Sequence, residues 1–385
     1  MLSGGVLVIN AGSSSIKSAL VGRDGAERLR LAASEIGGNS SLNVEPANTA
    51  RTVSPVALAH HADAMDAILS AIVAEGFAID RLDGVGHRIV HGGPTLHETS
   101  PITAQNRALI EAAIPLAPLH LPPALAAIDA LSSRAPDLRQ FGCFDTAFHA
   151  TIPDVARRYA LPQRPETEGL RRYGFHGISY QGLVAALQDL AGPLPPRLLA
   201  LHLGNGASLC AIKNGCSVAT TMGYSPLSGL TMGTRVGTID GDAVLTLAER
   251  VGIARAGEIL SRESGLKGLA GASDMRALAD DLSAEAAFAL DHFAYWAVRH
   301  AGSMVAAMGG CDAIAFTAGI GENDAGMRAR ILSGLEWLGL TWDGAANTEG
   351  RKALHRAGSK VSAFIVPARE EATIAADVLA ALTAA

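Results

Sequence analysis

Apolar positions in this chain form short runs that end on glycine, separated by longer stretches in which they recur every three or four residues. Residues 6–9 (VLVI) make a run too short for a helix and bounded by turn chemistry, which predicts a buried strand. Asn10 to Ser15 then supplies a glycine and three consecutive serines before residues 16–21 resume an extended pattern, so the segment predicts strand, polar turn, strand. Helical spacing predicts helices over 60–76, 107–116 and 123–131, the last two separated by the proline-rich turn APLHLPP. Strands are expected at 82–93 and 140–148, whereas residues 23–48 offer no placement. The pattern weakens after 151 and reopens at 198–203, an apolar strand running into Gly204, Asn205 and Gly206, with a second strand at 207–212. A long glycine-punctuated loop follows at 220–242, then helices at 243–251, 254–263 and 284–308. Residues 312–323 again read as a strand entering glycines. A helix at 325–338, a strand at 361–366 and a final helix at 370–384 complete the chain.

Strands alternating with helices imply an α/β fold, in which ligands gather at strand ends. At 385 residues the chain exceeds the size at which a single core keeps growing, so two domains are expected, with a boundary near 148. The division expected is 1–147 and 148–371, with a helix of about 372–385 packing back on the first domain. Gly12 and Gly204 lie about half a chain apart in similar strand-turn-strand settings, which points to two copies of one unit.

Composition narrows the function. A formal charge of −6 gives no electrostatic footprint for nucleic acid or anionic membrane, so any cationic site is local. The N-terminus lacks the basic and apolar regions of a signal peptide, and 301–321 is broken by glycines and Asp312, which argues against a membrane span. Four cysteines without a C-x-x-C pair suit a reducing cytoplasm. No Gly-Lys step occurs, which excludes a P-loop, and no G-x-G-x-x-G joins a strand to a helix in the first half. No zinc pattern, H-E-x-x-H or G-x-S-x-G elbow appears.

What remains are three glycine-rich strand exits, at Gly12, Gly204 and Gly319. The first presents backbone N–H groups and the hydroxyls of Ser13 and Ser15 to an anion, with Lys17 adding positive charge; a solvated serine-rich turn is the plain alternative. Two such loops across a domain cleft, with a third beside them, suit a nucleotide.

The blocks NAGSSSIK at 10–17, GHRIVHGG at 86–93, FDTAFHATIP at 144–153, RYGFHGISY at 172–180, LHLGNGAS at 201–208, TMGYSPLSGLTMGTRVG at 221–237 and FTAGIGEN at 316–323 resemble, in order, the signatures of the acetate kinase family. The resemblance covers nearly the whole chain. It implies duplicated ribonuclease-H-like domains of the actin, hexokinase and Hsp70 superfamily, with an interdomain active-site cleft. It also implies a cytoplasmic homodimer that transfers a phosphoryl group directly and in line between ATP and acetate, giving ADP and acetyl phosphate, with Mg²⁺ or Mn²⁺. By that resemblance Arg88 and Arg235 contact carboxylate and phosphoryl oxygens, His176 hydrogen-bonds the phosphoryl group in flight, and Asp145 orients the metal and its waters. Asn10 and Glu370 are the metal-linked positions. His202, Gly204, Asn205 and Gly206 match the ATP-phosphate positions, and Asp274, Met275, Arg276 and Gly319, Ile320, Gly321, Glu322, Asn323 the nucleoside pocket. Val90, Leu119, Phe175 and Pro226 match a small acyl pocket beside His120. Leu121, Ala219 and Arg369 depart from the family pattern, which carries Asn, Asp and Asn there. Propionate or butyrate kinase activity is the near alternative. A sugar kinase is disfavoured because arginines stand where a base would serve a neutral hydroxyl, and an actin- or Hsp70-like ATPase is the remote alternative.

Overall fold

The computed structural model describes residues 4–384. Its strands form two sheets. The first contains β1 (Val6–Ala11), β2 (Ser15–Val21), β3 (Glu27–Ser34), β4 (Ser41–Pro46), β5 (Thr52–Pro55), β6 (Gly84–Ile89), β7 (Ser100–Pro101) and β8 (Gln140–Phe144), in the order β5-β4-β3-β2-β1-β6-β8-β7. The second contains β9 (Arg197–Leu203), β10 (Ala207–Lys213), β11 (Cys216–Thr220), β12 (Ala313–Thr317) and β13 (Ser362–Ile365), in the order β11-β10-β9-β12-β13.

The duplication expected from the two glycine hairpins is visible in the ladders. In the first sheet β3-β2-β1 pair antiparallel, and β1-β6-β8 continue parallel. In the second, β11-β10-β9 pair antiparallel, and β9-β12-β13 continue parallel. Both are the same five-stranded design: an antiparallel meander whose first strand is extended by two parallel crossovers. This is the α/β plan of duplicated ribonuclease-H-like units.

The chain divides into two units. Unit 1 runs to Phe148 and takes back Gly177–Gly182 and the chain from Arg369 onward, while unit 2 comprises His149–His176 and Leu183–Ala368. In unit 1, β1 is apolar without alternation because both of its faces are covered. Leu7 and Ile9 pack with Met65, Ile68 and Ile72 of the helix His61–Ala74. Val6 and Val8 pack on the other side with Ile374, Ala375 and Val378 of the last helix, Glu370–Ala384. In unit 2, β9 and β12 are likewise buried throughout apart from the half-buried Arg197, and the helix Ala284–Met308 lies against β9 and β10.

Several expectations are adjusted. Residues 23–48 hold β3 and β4. The helix expected from 123 starts two residues earlier, at Leu121, because prolines are tolerated in a first turn whose N–H groups have no intrahelical acceptor. The glycine-rich exit after β12 is a turn of helix, Ala318–Asn323. No helix of the described residues is long and apolar enough to cross a membrane.

Each unit buries a neutral histidine. His87 in unit 1 bonds Gln140 Oε1 at 2.7 Å, and His149 in unit 2 bonds Ser217 Oγ at 2.8 Å and the Phe175 carbonyl at 2.9 Å. Burial pushes each imidazole down to about 4 from 6.5. Between those values the unfolded chain binds more protons than the folded one, so stability falls as pH drops through that window, by roughly 1.4 kcal/mol per pH unit per histidine. Urea melts at pH 7.5 and pH 5 test this: His149→Gln is expected to flatten the pH dependence, and an unchanged slope would remove His149 from the account.

Candidate active site

In unit 1 the β1–β2 hairpin closes with Gly12 N donating to the Ser15 carbonyl at 2.8 Å. His61 Nε2, at the start of its helix, donates to the Gly12 carbonyl at 2.7 Å. Ser13 and Ser14 are exposed at the tip, and Lys17 is exposed opposite Asn10 in the ladder.

The ends of β6 and β8 bring three charged side chains of unit 1 together. Arg88 donates from Nε and Nη2 to Asp145 at 3.3 and 2.9 Å, and its Nε lies 3.6 Å from Glu370 Oε2. Asp145 is almost wholly buried. The Asp145 charge, and after burial's opposing effect that of Glu370, raises the Arg88 pKa above its ordinary value and keeps the guanidinium charged. Gly177 N donates to the Asp145 carbonyl at 2.8 Å, and a Cβ on Gly177 would lie 2.3 Å from that oxygen. Glycine is therefore required at 177 for Asp145 to keep its place. Of the residues expected at an acyl pocket, those in this unit lie as follows: Val90 is half-buried, Leu119 is exposed, and His120 stands at the N-terminus of the helix Leu121–Arg134.

Two carboxylates reaching one guanidinium, those of Asp145 and Glu370, are hard oxygen donors of the kind Mg²⁺ takes while keeping most of its waters. Among the described residues no three His, Cys, Asp or Glu side chains form a closed metal cage. The residues fit a hydrated Mg²⁺ and do not fit a dehydrated structural ion.

Unit 2 assembles a second group. His176 occupies the left-handed region at φ 61°, unusual for a residue with a Cβ, at the N-cap of the helix Gly177–Ala191. Its Nδ1 bonds Ser208 Oγ at 2.9 Å, and its ring stacks on His202 with centroids 4.0 Å apart. A Cβ on Gly206 would lie 3.3 Å from His176 Nε2 and 3.5 Å from Arg235 Nη1, so both nitrogens converge on the open side of this glycine. Arg235 is held by Nη1 to the Pro226 carbonyl at 3.1 Å, and no carboxylate of the described residues pairs with it. Burial alone acts on it, lowering its pKa. A half-buried guanidinium without a counter-charge is a costly arrangement that an anionic ligand would relieve. Phe175 is fully buried and Pro226 half-buried.

Beside this group unit 2 contains a cavity of about 900 Å³. Its lining includes Gly204, Asn205, Asp274, Met275, Arg276, Gly319, Ile320 and Asn323, eight of the residues expected for the nucleotide. Gly206, Gly321 and Glu322 do not line it; Gly321 is buried, and Glu322 Oε1 accepts from Ala368 N at 2.9 Å. Asp274 caps the helix Met275–Asp280 by accepting from Arg276 N at 2.9 Å, and the Arg276 side chain holds its carboxyl down to about 2.

Leu266, Ser273, Ala279, Asp280, Asp324 and Ala325 also line the cavity and lie outside the sequence expectation; the neighbouring motif SDMR is the signal that could have found Ser273. Arg328 was missed as well. Its guanidinium is buried, and it donates to the carbonyls of Gly321 and Glu322 at 3.0 and 2.8 Å and to Asn347 Oδ1 and O at 2.8 and 2.9 Å. It thereby fastens the C-terminal carbonyls of Ala318–Asn323, the wall of the cavity.

Comparison with known proteins points to one family for the chain as a whole. The profile of the Acetokinase family matches residues 5–376. An acetate kinase of Methylocella silvestris is 40% identical over 98% of this chain and 98% of its own length. The crystal structure of Porphyromonas gingivalis acetate kinase superposes with a TM-score of 0.92 at 36% identity, covering 98% of this chain and 100% of that one. A propionate kinase from Francisella tularensis subsp. tularensis superposes with a TM-score of 0.92 at 30% identity, covering 97% of this chain and 98% of that one. With ordered signatures, a twice-used five-stranded unit and full-length similarity all in agreement, this chain belongs to the Acetokinase family of kinases.

Proposed function

We propose that this chain catalyses reversible phosphorylation of acetate by ATP, giving acetyl phosphate and ADP by direct in-line transfer (EC 2.7.2.1). The observation that carries the reading is Arg235: a half-buried guanidinium with no carboxylate partner, converging with His176 Nε2 on the open side of Gly206. The attacking carboxylate is ionised at neutral pH, since model carboxyls titrate near ~4, so no general base is needed. The obstacle is the approach of one anion to another. Fixed donors that neutralise charge in the transition state therefore supply most of the catalysis.

In this reading Arg235 and His176 hold the equatorial oxygens of the phosphoryl group. Arg88 orients the acetate carboxylate, and Asp145 holds Arg88. Asn10, Asp145 and Glu370 would hold Mg²⁺ through its waters, and that ion supplies charge neutralisation on the nucleotide phosphates. The hairpin residues Ser13, Ser15 and Lys17, with His202, Gly204, Asn205 and Gly206, bind phosphates. The 900 Å³ cavity takes the nucleoside. By the family resemblance Val90, Leu119, His120, Phe175 and Pro226 are the residues assigned to the methyl group. The enzyme works as a cytoplasmic homodimer; its four cysteines are all free thiols, and Phe288 and Tyr295 stand exposed on one long helix as apolar contacts for a second copy.

A hydroxamate assay with acetate, propionate and butyrate tests the reaction and its acid together. Acetate is expected to give the highest kcat/KM. A preference for propionate would support the second reading, favoured by the likeness to the Francisella propionate kinase, because one methylene is worth only ~1 to 3 kcal/mol in such a pocket. ATP hydrolysis without any hydroxamate would overturn both.

Arg328 gives a separate check on the nucleotide cavity. Arg328→Met leaves two carbonyls and Asn347 without their donor, and a bond from a charged group is worth about 1.5 to 3 kcal/mol. The KM for ATP is expected to rise about tenfold while the KM for acetate moves little. A fall in apparent kcat with both KM values unchanged would show a general loss of folding instead.

A further inference from the structure

Unit 2 contains a cavity of about 450 Å³ that shares no lining residue with the nucleotide cavity. Its walls include Tyr159, Arg172, Tyr224, Ser228, Thr238 and His300, and no Asp or Glu side chain lines it. Arg172 donates from Nη1 to the Met222 carbonyl at 3.3 Å, and its guanidinium carbon lies 5.6 Å from the centre of the Tyr159 ring. No carboxylate of the described residues pairs with it, which leaves a guanidinium with most of its donors unspent. Tyr159 Oη accepts from Tyr224 N at 3.0 Å and keeps its own proton to donate.

Three of these polar atoms are focused. A Cβ on Gly223 would meet Tyr159 Oη at 2.4 Å, Ser228 Oγ at 2.8 Å and Arg172 Nη1 at 3.4 Å. They therefore cluster around one backbone position that only glycine can leave open. His300 has its Nε2 3.2 Å from Thr238 Oγ1, and burial, with the charges of Arg299 and Arg172 and against a bond to the Gly229 backbone, lowers its pKa. The cavity thus offers one uncompensated positive charge and a rim of hydroxyl donors, the complement of a small anion.

Its position gives the anion something to act on. Residues 220–229 and 237–239 supply most of the wall, and Thr238 ties the two stretches together through N and Oγ1 to the Gly229 carbonyl at 2.9 and 3.0 Å. Between them, on the same loop, lies Arg235, itself bonded to the Pro226 carbonyl. We propose that this cavity is a second small-anion site, taking a carboxylate- or phosphate-bearing metabolite through Arg172, Tyr159 and Ser228, and that its occupancy adjusts the loop that carries Arg235. Binding here is independent of the kinase reading, whereas its kinetic consequence rests on that reading.

The test titrates the full-length protein with succinate, acetate and orthophosphate by calorimetry, using wild type, Arg172→Met, Arg172→Lys, Ser228→Ala and Arg235→Met. Arg235→Met weakens the proposed reaction site, and the binding it retains is assigned to this cavity by its dependence on Arg172 and Ser228. At least one anion is expected to bind Arg235→Met below about 10 mM, and Arg172→Met is expected to weaken that binding about tenfold, the worth of one charge-assisted hydrogen bond. Arg172→Lys is expected to restore part of it. In turnover assays the same anion is expected to change the kcat or KM of wild type and to leave Arg172→Met unaffected. Should Arg172→Met fail to fold, Ser228→Ala carries the same comparison. No saturable binding of any of the three anions to Arg235→Met, or binding indifferent to both the Arg172 and Ser228 changes, would overturn the proposal. Binding without a kinetic effect would overturn its regulatory half. Retention by succinate and not orthophosphate assigns the site to carboxylates, and the reverse to phosphates.

Discussion

Replacing Arg235 by alanine is expected to lower kcat for acetate by at least ~10²-fold, the size of effect seen when one preorganised transition-state donor is removed. Thermal stability should stay level or rise. The guanidinium is desolvated and has no carboxylate partner, so folding gains nothing from its charge and loses a bond to the Pro226 carbonyl and a weak contact to Met232 Sδ. Arg235→Lys keeps the charge but not the planar fork, and a partial recovery of kcat is expected. The measurement is kcat by hydroxamate formation beside a thermal melt on the same preparations. Near-normal turnover in Arg235→Ala would remove the residue from the reaction.

Arg88→Ala is expected to behave differently, although it deletes the same chemical group. Arg88 is the counter-charge of a nearly fully buried Asp145 and lies 3.6 Å from Glu370. Removing one partner of a buried pair costs about 3 to 5 kcal/mol, because the remaining carboxylate is stranded away from water. Activity and the unfolding midpoint should therefore fall together. The double variant Arg88→Ala with Asp145→Asn should regain much of the stability and none of the activity. If Arg88→Ala melted like wild type, the ion pair would contribute nothing to the fold and Arg88 would be a purely functional residue.

The two arginines show what was legible in advance. Both were picked out from motif resemblance, because a guanidinium in a glycine-flanked stretch has the same appearance whichever partner it meets. Only the coordinates distinguish the paired Arg88 from the unpaired Arg235, since Asp145 lies far from Arg88 in sequence. The repeated unit was readable from Gly12 and Gly204, because both halves use an antiparallel hairpin with a small turn. β3 was missed, although Leu29, Leu31 and Ala33 are buried at alternate positions, because the flanking glycines and charges hide a short period-two signal. The helix Gly177–Ala191 lacked a readable start: its N-cap is a histidine in a left-handed conformation where a serine or aspartate would announce a helix. The helical turn Ala318–Asn323 was hidden by its two glycines, and it is held by Arg328, five residues beyond its end.

The divided chain path of unit 1 has a bearing on how the molecule is made. One face of its sheet, around Val6 and Val8, is covered by Ile374, Ala375 and Val378 of the last helix. During synthesis that face lacks most of its cover until residues 370–384 leave the ribosome, after every strand of unit 2 has emerged. A premature stop or a fusion that restrains the last helix should therefore yield a chain that aggregates through its oldest segment.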